Sequence, residues 1–408
     1  MQRPGFHQTT VEVPGERRRG PRRIAFVHPS LGLGGAERLV LDAALALKDA
    51  GHEVRLFTPD FDPDHCFEEA RNGRLDVRVH GASLPASIGG RVRVPCVLAR
   101  SAVAAAAAMR WAPDLVFCDT VAHVLPLLRF GPAPVLFYGH FPDLLLTARD
   151  RRWYRWYRVP LDELERRGTA LAHRLVVNSH FTAGVFTDVF PGLRPVVLHP
   201  GVQVPAEINT IPDGPEIVLA SINRFDPKKN LPLAVEAFAA LRSRLEPPLF
   251  ARARLVLAGG LDRRMQEQRE EFDKLRRLAD ILGVAEQVEL RPSIDEAERD
   301  ALLASSRALL YTPEREHFGI VPLEAMAAGR PVVAARSGGP LETILHGETG
   351  FLCEANAGSF ADALAILVSD VARARQMGAN GREHVLTNFS GAVFARDLDA
   401  IVREMTGG

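Results

Sequence analysis

Apolar runs of strand length alternate with helical patterns through the first half of the chain. The runs at residues 24–27, 53–58, 115–118 and 135–138 read as buried strands, and residues 37–50 read as a helix between the first two. Such alternation is typical of βαβ units, in which parallel strands form a sheet covered by helices on both faces. The sequence therefore predicts an α/β fold.

A second series of the same kind follows a segment that carries Pro and Gly, at residues 204–215. With 408 residues the chain is long enough for two domains with separate cores. We predict a Rossmann-like domain over 22–204, a hinge over 205–215 and a second Rossmann-like domain from 216. The strand and helix patterns of the second series fall at 217–222, 232–241, 253–258, 267–282, 288–290, 308–311 and 332–334.

Ligands of open parallel sheets bind beyond the carboxyl ends of the strands, so two such domains facing each other predict a cleft between them. Fifty basic and fifty acidic residues leave no net charge, which argues against a nucleic-acid partner. The few cysteines favour a reducing, cytoplasmic compartment. Residues 1–21 read as a disordered leader without a signal peptide, and no run is long and apolar enough to span a bilayer.

Glu316 and Glu324 lie eight positions apart around a turn that enters a helix. The helical pattern starts at Pro322 and Gly329 marks its end. The backbone N–H groups of residues 318–320 would then lie at the positive end of the helix dipole, where a diphosphate is favoured. Two flanking carboxylates can accept hydrogen bonds from sugar hydroxyls, so the segment suits a sugar nucleotide. The alternative is that both glutamates are ordinary surface or first-turn acids.

Three further segments follow predicted strands. Gly34 and Gly35 open the first helix, where glycine lets backbone N–H groups approach a ligand. Arg224 and Lys229 follow the first strand of the second domain, where two cations can meet an anionic ligand. His140 follows the strand at 135–138 and can donate to a sugar hydroxyl or a phosphate. The alternatives are that the two glycines only form a tight turn, that Arg224 and Lys229 are solvated surface charges, and that His140 is a packed histidine.

Five ordered blocks resemble one known superfamily over nearly the whole chain. They are HPSLGLGGAERLVLDAALAL (28–47), FYGHFPDLLLT (137–147), VNSHFTAGVF (177–186), SINRFDPKKN (221–230) and YTPEREHFGIVPLEAM (311–326). The last contains the Glu, seven residues, Glu motif of the retaining glycosyltransferases with two Rossmann-like domains, the glycogen synthase-like superfamily. Within it, the blocks resemble the eukaryotic mannosyltransferases that add α-1,3 and α-1,6 mannoses to the lipid-linked N-glycan precursor.

The resemblance implies an α/β fold with two facing Rossmann-like domains, the second over 216–390, and a last helix within 391–408 that crosses back to the first domain. It implies a retaining α-mannosyltransferase with GDP-mannose as donor, a polyprenyl-diphosphate-linked oligosaccharide as acceptor and no bound cofactor or metal. The implied catalytic residues are His140, Arg224, Lys229 and Glu316. The implied donor site comprises Gly34, Gly35, Asn223, Arg224, Lys229, Glu316, His317, Phe318, Gly319, Ile320, Val321 and Glu324, with Gly34 and Asp143 on the acceptor side.

Other functions stay open at this point. The same fold serves hexosyltransferases with other nucleotide sugars and polysaccharide or glycolipid acceptors, sugar-nucleotide epimerases and catalytically silent scaffolds. Residues 151–158, RRWYRWYR, interleave cations with aromatic rings and predict either an interfacial patch for lipid headgroups or a helix docked on the core. A lipid-linked acceptor would favour peripheral attachment at the cytosolic membrane face.

Overall fold

The computed structural model describes residues 20–88, 94–146, 152–207 and 210–407. It contains two parallel sheets with helices on both faces, which confirms the predicted fold class. The predicted leader, residues 1–21, lies almost entirely outside the described ranges.

The first sheet contains seven strands in the order β3-β2-β1-β4-β5-β6-β7, and every pair is parallel. Because the order reverses at β1 and β4, the loops after these two strands open a crevice at the carboxyl edge of the sheet. The strands are β1 (Arg23–Val27), β2 (Glu53–Thr58), β3 (Asp76–Val79), β4 (Leu115–Asp119), β5 (Val135–Gly139), β6 (Arg174–Val177) and β7 (Val196–Val197).

The second sheet contains six parallel strands in the order β10-β9-β8-β11-β12-β13. Its reversal lies between β8 and β11, so the loops after these strands form the matching crevice of the second half. The strands are β8 (Ile217–Ile222), β9 (Ala253–Gly259), β10 (Val288–Pro292), β11 (Ser306–Tyr311), β12 (Val332–Ala335) and β13 (Gly350–Cys353).

Helices cover both sheets and bury their apolar faces against them. In chain order they are α1 (Gly35–Asp49), α2 (Glu68–Arg71), α3 (Val94–Arg110), α4 (Leu125–Leu128), α5 (Asp143–Leu146), α6 (Arg152–Thr169), α7 (His180–Val189), α8 (Leu231–Leu241), α9 (Pro247–Ala251), α10 (Gln266–Ile281), α11 (Glu296–Ser305), α12 (Ile320–Ala327), α13 (Pro340–Thr343), α14 (Ala357–Ser369), α15 (Val371–Asn388) and α16 (Gly391–Met405). Within the described ranges, none of them combines the length and apolar character needed to cross a bilayer.

The last helix, α16, packs on the first half of the chain. Phe394, Leu398 and Val402 are buried in the same apolar cluster as β1, β2 and α1. Their spacing of four residues places all three on one face of the helix. The bridge between Val202 and Ser390 holds the start of α16 against the segment that connects the two sheets.

Candidate active site

A cleft of ≈ 1460 Å³ lies between the two halves of the molecule. Its walls come from the loop after β1 and from α1 on one side, and from the ends of β8 and β9 and from α11 and α12 on the other. This volume exceeds that of an ordinary small-molecule pocket, so the cleft has room for a large donor together with part of an acceptor. Four of the residues predicted to bind the donor line it: Gly34, Gly35, Ile320 and Glu324.

The loop after β8 carries the predicted diphosphate cations. Arg224 is exposed directly after the strand, and the backbone then turns through Asp226, whose carbonyl accepts a hydrogen bond from the Lys229 N–H at 2.8 Å. The Lys229 carbonyl accepts a further bond from Thr312 Oγ1 at 2.8 Å. This contact ties the loop to the end of β11, so Lys229 is held at the carboxyl edge where the two strands meet.

Lys229 and Glu316 form an ion pair between Nζ and Oε2. Their side chains are 20% and 21% exposed, so both remain accessible from solvent. The two residues are 87 positions apart in sequence, and the fold brings together a cation and a carboxylate that were both predicted to be catalytic. Asn223, the third predicted residue of this region, is buried, and its Nδ2 has no hydrogen-bond partner among the described residues.

The helix α12 begins at Ile320, two residues earlier than the predicted start at Pro322. Gly319 precedes it with φ 80°, a left-handed conformation that glycine adopts without strain. Glu324 therefore lies in the second turn, close to the helix start, and the alternative interpretation of Glu324 as a first-turn acid is wrong. The N–H groups of Ile320 and Val321 belong to the first turn and have no partner within the helix, as an anion site requires.

Two adjacent glycines allow the loop before α12 to approach the turn after β12. A Cβ at Gly338 would lie 2.3 Å from the Glu316 carbonyl oxygen, and one at Gly339 would lie 2.0 Å from the Phe318 carbonyl oxygen. The Gly339 N–H donates to the Glu316 carbonyl at 2.8 Å. These glycines thus fix the backbone of the Glu316 loop, and Phe318 buries its ring beneath it.

Glu324 projects into the cleft beside Arg299 of α11, with Oε1 and Nη1 3.3 Å apart. Burial raises the pKa of the Glu324 carboxyl, and the Arg299 guanidinium opposes that shift. A half-buried carboxylate with one long ion pair keeps acceptor capacity for hydroxyl groups of a ligand.

His140 lies after β5, and its Nε2 is 3.0 Å from Oδ2 of Asp119, the last residue of β4. The other carboxylate oxygen, Oδ1, is 2.5 Å from Nδ1 of His28, which follows β1. Sequence reasoning identified His140 but missed Asp119 and His28. The available signal was that each is a polar residue at the end of a buried parallel strand, as His140 is.

The two halves of the molecule touch close to this site. The rings of Phe141 and His317 are stacked with centroids 3.8 Å apart and an interplanar angle of 5°. Ser179 Oγ donates to the His317 carbonyl at 2.5 Å. His317 therefore contacts the first half through both its ring and its backbone, beside His140.

Glu342 of α13 accepts hydrogen bonds from the first N–H groups of α7, from His180 at 2.9 Å and from Phe181 at 3.2 Å. Its Oε2 is also 3.1 Å from Nε2 of His199. Although burial opposes it, these hydrogen bonds lower the pKa of the Glu342 carboxyl. Sequence analysis missed this contact because its partners are more than 140 residues apart.

His180, His199 and Glu342 also offer ligand atoms within 4.8 Å of one another, a composition that suits a divalent transition metal. In this arrangement the carboxylate is already occupied by the N–H groups of α7. No metal site was predicted from the sequence because these residues show no characteristic spacing.

Two predictions concern side chains that the structure does not describe. Asp143 begins α5, but its side chain, proposed for the acceptor, lies outside the described residues. The same holds for the basic and aromatic side chains of 151–158.

Both halves of the chain match known glycosyltransferase families. Residues 33–204 match the family described as Glycosyltransferase Family 4, and residues 206–384 match Glycosyl transferases group 1. Among solved structures, sucrose-phosphate synthase of Thermosynechococcus elongatus superposes with a TM-score of 0.75 at 21% identity, covering 95% of this chain and 99% of that one. Anabaena HepE in complex with UDP and glucose gives a TM-score of 0.69 at 18% identity, covering 93% and 99%. At these identities the likeness establishes the fold.

Sequence relatives define the family more narrowly. The alpha-1,3/1,6-mannosyltransferase ALG2 of Homo sapiens is 41% identical over 400 residues, covering 94% of this chain and 96% of the relative. The protein of the same name from Rhizomucor pusillus is 40% identical over 417 residues, covering 94% and 91%. The chain belongs to the α-1,3/1,6-mannosyltransferase family, which confirms the resemblance seen in the sequence.

Proposed function

We propose that the protein is a retaining α-mannosyltransferase that transfers mannose from GDP-mannose to a polyprenyl-diphosphate-linked oligosaccharide, forming α-1,3 linkages, α-1,6 linkages or both. Membership of the family supports the sugar and the acceptor class. The observation that carries the site assignment is the Lys229–Glu316 ion pair at the carboxyl edge of the second sheet, beside a large cleft.

The paired charges suggest how the donor is held. In the structure, Lys229 and Glu316 neutralise each other. When the donor enters, the ammonium group turns to the diphosphate and Glu316 accepts hydrogen bonds from the sugar hydroxyls. Arg224, which is exposed on the same loop, supplies a second cation for the diphosphate. The first N–H groups of α12, at Ile320 and Val321, bind the same anion.

The remaining predicted residues complete the donor site in this proposal. Glu324 accepts from the ribose hydroxyls, and its partner Arg299 opposes the rise in the Glu324 pKa that burial causes. Gly34 and Gly35 present backbone to the ligand from the opposite wall. His140 contacts the donor sugar close to its reacting carbon, and Asp143 orients the acceptor.

The proposed reaction is the one that the resemblance to retaining glycosyltransferases implies. The acceptor hydroxyl attacks the anomeric carbon on the face from which the diphosphate leaves, so the C–O bond to phosphate breaks as the new glycosidic bond forms. A phosphate oxygen of the departing GDP takes the hydroxyl proton. The protein contributes positioning and stabilisation of the growing negative charge, and neither role requires a protein nucleophile or a metal ion.

The lipid-linked acceptor also implies a location. With no bilayer-crossing helix among the described residues, we propose peripheral attachment at the cytosolic face of a membrane.

A donor and acceptor screen tests the proposed function. The purified protein is incubated with radiolabelled GDP-mannose, UDP-glucose and UDP-N-acetylglucosamine, each with a polyprenyl-linked oligosaccharide, a soluble glycan or no acceptor, with and without EDTA. The proposal predicts mannose transfer to the lipid-linked acceptor in all metal conditions. Transfer from a UDP-sugar, or conversion of the sugar nucleotide without an acceptor, would contradict it.

A further inference from the structure

The carboxyl ends of three adjacent strands bring two histidines onto one carboxylate. In the sheet β1, β4 and β5 are neighbours, and the first residue after β1 is His28, the last residue of β4 is Asp119 and the first residue after β5 is His140. Asp119 uses both oxygens, Oδ1 at 2.5 Å from His28 Nδ1 and Oδ2 at 3.0 Å from His140 Nε2. Each imidazole thus approaches a different oxygen of the same group.

Burial separates the roles of the two histidines. Asp119 and His28 are buried, whereas the His140 side chain is 25% exposed. A buried carboxylate without water must receive hydrogen bonds from protein donors, and here the two rings supply them. His140 is the member of the group that can also reach a ligand.

Charge on His28 balances the carboxylate. Burial would lower the pKa of His28, but the Asp119 carboxylate and, more weakly, Glu37 of α1 raise it to about 9. His28 Nε2 has no hydrogen-bond partner among the described residues and lies 4.0 Å from Glu37 Oε1. The pKa of Asp119 is lowered despite its burial, because both histidines favour the ionised form.

The other titratable groups around Asp119 and His28 add no further charge to this pair near pH 7. Burial raises the pKa values of the Cys118 thiol and the Tyr138 phenol, so both stay neutral near pH 7. The Tyr138 hydroxyl donates to the Leu198 carbonyl at 3.0 Å. From the second half of the molecule, His317 faces this region with a pKa that burial lowers. An ionised Asp119 beside a protonated His28 therefore faces a single N–H from His140.

We propose that Asp119 is a positioning residue for the transferase, fixing His140 as the tautomer protonated on Nε2 and leaving Nδ1 as a hydrogen-bond acceptor for a hydroxyl of the donor sugar. The sugar contact rests on the proposed function; the tautomer does not. A neutral imidazole carries one donor and one acceptor nitrogen, so a carboxylate that binds Nε2–H decides which one faces the ligand. Glu37, which lies beside His28, also packs against the glycine loop after β1. A Cβ at Gly34 would lie only 2.3 Å from Glu37 Oε2, so this close approach requires glycine.

The tautomer is tested in the unaltered protein by nitrogen-15 NMR of labelled histidine, assigned with a His140→Gln variant. We expect His140 to carry its proton on Nε2 at pH 7 and His28 to be doubly protonated. A His140 ring that carries a proton on Nδ1, alone or together with Nε2, or a neutral His28 at pH 7, would overturn the proposal without any activity measurement.

Asp119→Asn tests the consequence for transfer, because the amide keeps the shape of the carboxylate and loses its charge. We expect kcat to fall about tenfold to 100-fold, as is typical for residues that orient a ligand-contacting histidine, with GDP affinity within about twofold of the parent. His28 should become neutral, since burial remains and the carboxylate is gone. Combined with His140→Ala, the change should add little, because Asp119 acts through His140.

Asp399→Asn is the matched control. Asp399 Oδ1 is 2.7 Å from Nε2 of His52, a buried histidine that precedes β2 at the opposite edge of the same sheet. This substitution should leave kcat unchanged. If Asp119→Asn does not fold, His28→Gln serves instead, with a smaller loss of kcat.

The outcomes separate this inference from the proposed function. Parent-like kcat in folded Asp119→Asn, or additive losses with His140→Ala, would refute the role of Asp119 in an enzyme that still transfers mannose. A parent protein that transfers no mannose, with His140 protonated on Nε2, would refute the proposed function and the sugar contact while the positioning by Asp119 stands.

Discussion

Removal of the Lys229 ammonium tests the diphosphate site most sharply. An ammonium about 4 Å from an anion contributes about 4 kcal/mol at an effective dielectric constant of 20, which suits a side chain that is 20% exposed. The share that acts only on the charge growing on the leaving diphosphate is about 2 kcal/mol if half of the interaction is already made with the bound donor, and about 4 kcal/mol if none is. Lys229→Ala should therefore lower kcat roughly 30-fold to 1,000-fold.

The assay is transfer of labelled mannose at saturating donor, with GDP binding measured separately by calorimetry. Lys228→Ala is the matched control, because Lys228 is the adjacent lysine and is exposed. We expect parent-like kcat in Lys228→Ala. Near-parent kcat in Lys229→Ala, or an equal loss in both variants, would refute the assignment of Lys229.

Four further predictions concern the two cleft glutamates, Glu342, His28 and membrane binding. Glu324→Gln should weaken GDP binding in calorimetry while Glu316→Gln lowers kcat more than GDP affinity, and the reverse pattern would exchange their roles. Glu342→Gln removes the negative charge that accepts hydrogen bonds from the first N–H groups of α7. It should lower the free energy of unfolding by about 1 to 2 kcal/mol in urea titration and enlarge the radius of gyration in small-angle scattering, and unchanged values would contradict the contact. The pKa of His28 is about 9 in the folded protein and 6.5 in the reference state. The stabilisation that protonated His28 provides is therefore complete below pH 6.5 and is lost as the pH rises through 9, so the Tm should fall over that range. The Tm of Asp119→Asn should not show this fall. Liposome flotation should show salt-sensitive binding to anionic vesicles, and absence of binding would favour a soluble acceptor.

The alternation of apolar runs was sufficient to predict two parallel α/β units, because buried strands and covering helices have different periods. Two of the strands that were not predicted gave little signal, because β3 is half-exposed and β7 has two residues. The short buried strands β6 and β13 were also not predicted, nor were the helices α7, α11, α14 and α15. The helix α12 was predicted two residues short, because Gly319 rather than Pro322 sets its start.

The candidate site divides in the same way. Lys229 and Glu316 were identified because each lies in a short motif whose spacing and resemblance are visible in the sequence. Asp119, His28 and Glu342 were missed because their roles depend on contacts between different strands and helices, 21, 91 and 162 residues apart, which only the sheet order and the packing of the two halves create. A charged or polar residue at the carboxyl end of a buried parallel strand is a local signal that would have identified Asp119 and His28.

Transfer of mannose with retention of the anomeric configuration is tested most directly by NMR of the product formed from GDP-mannose and a polyprenyl-diphosphate-linked oligosaccharide, followed by α-mannosidase digestion. We expect a new α-linked mannose, attached through O3 or O6, that the α-mannosidase releases. A β-linked product, or a transferred sugar other than mannose, would contradict it.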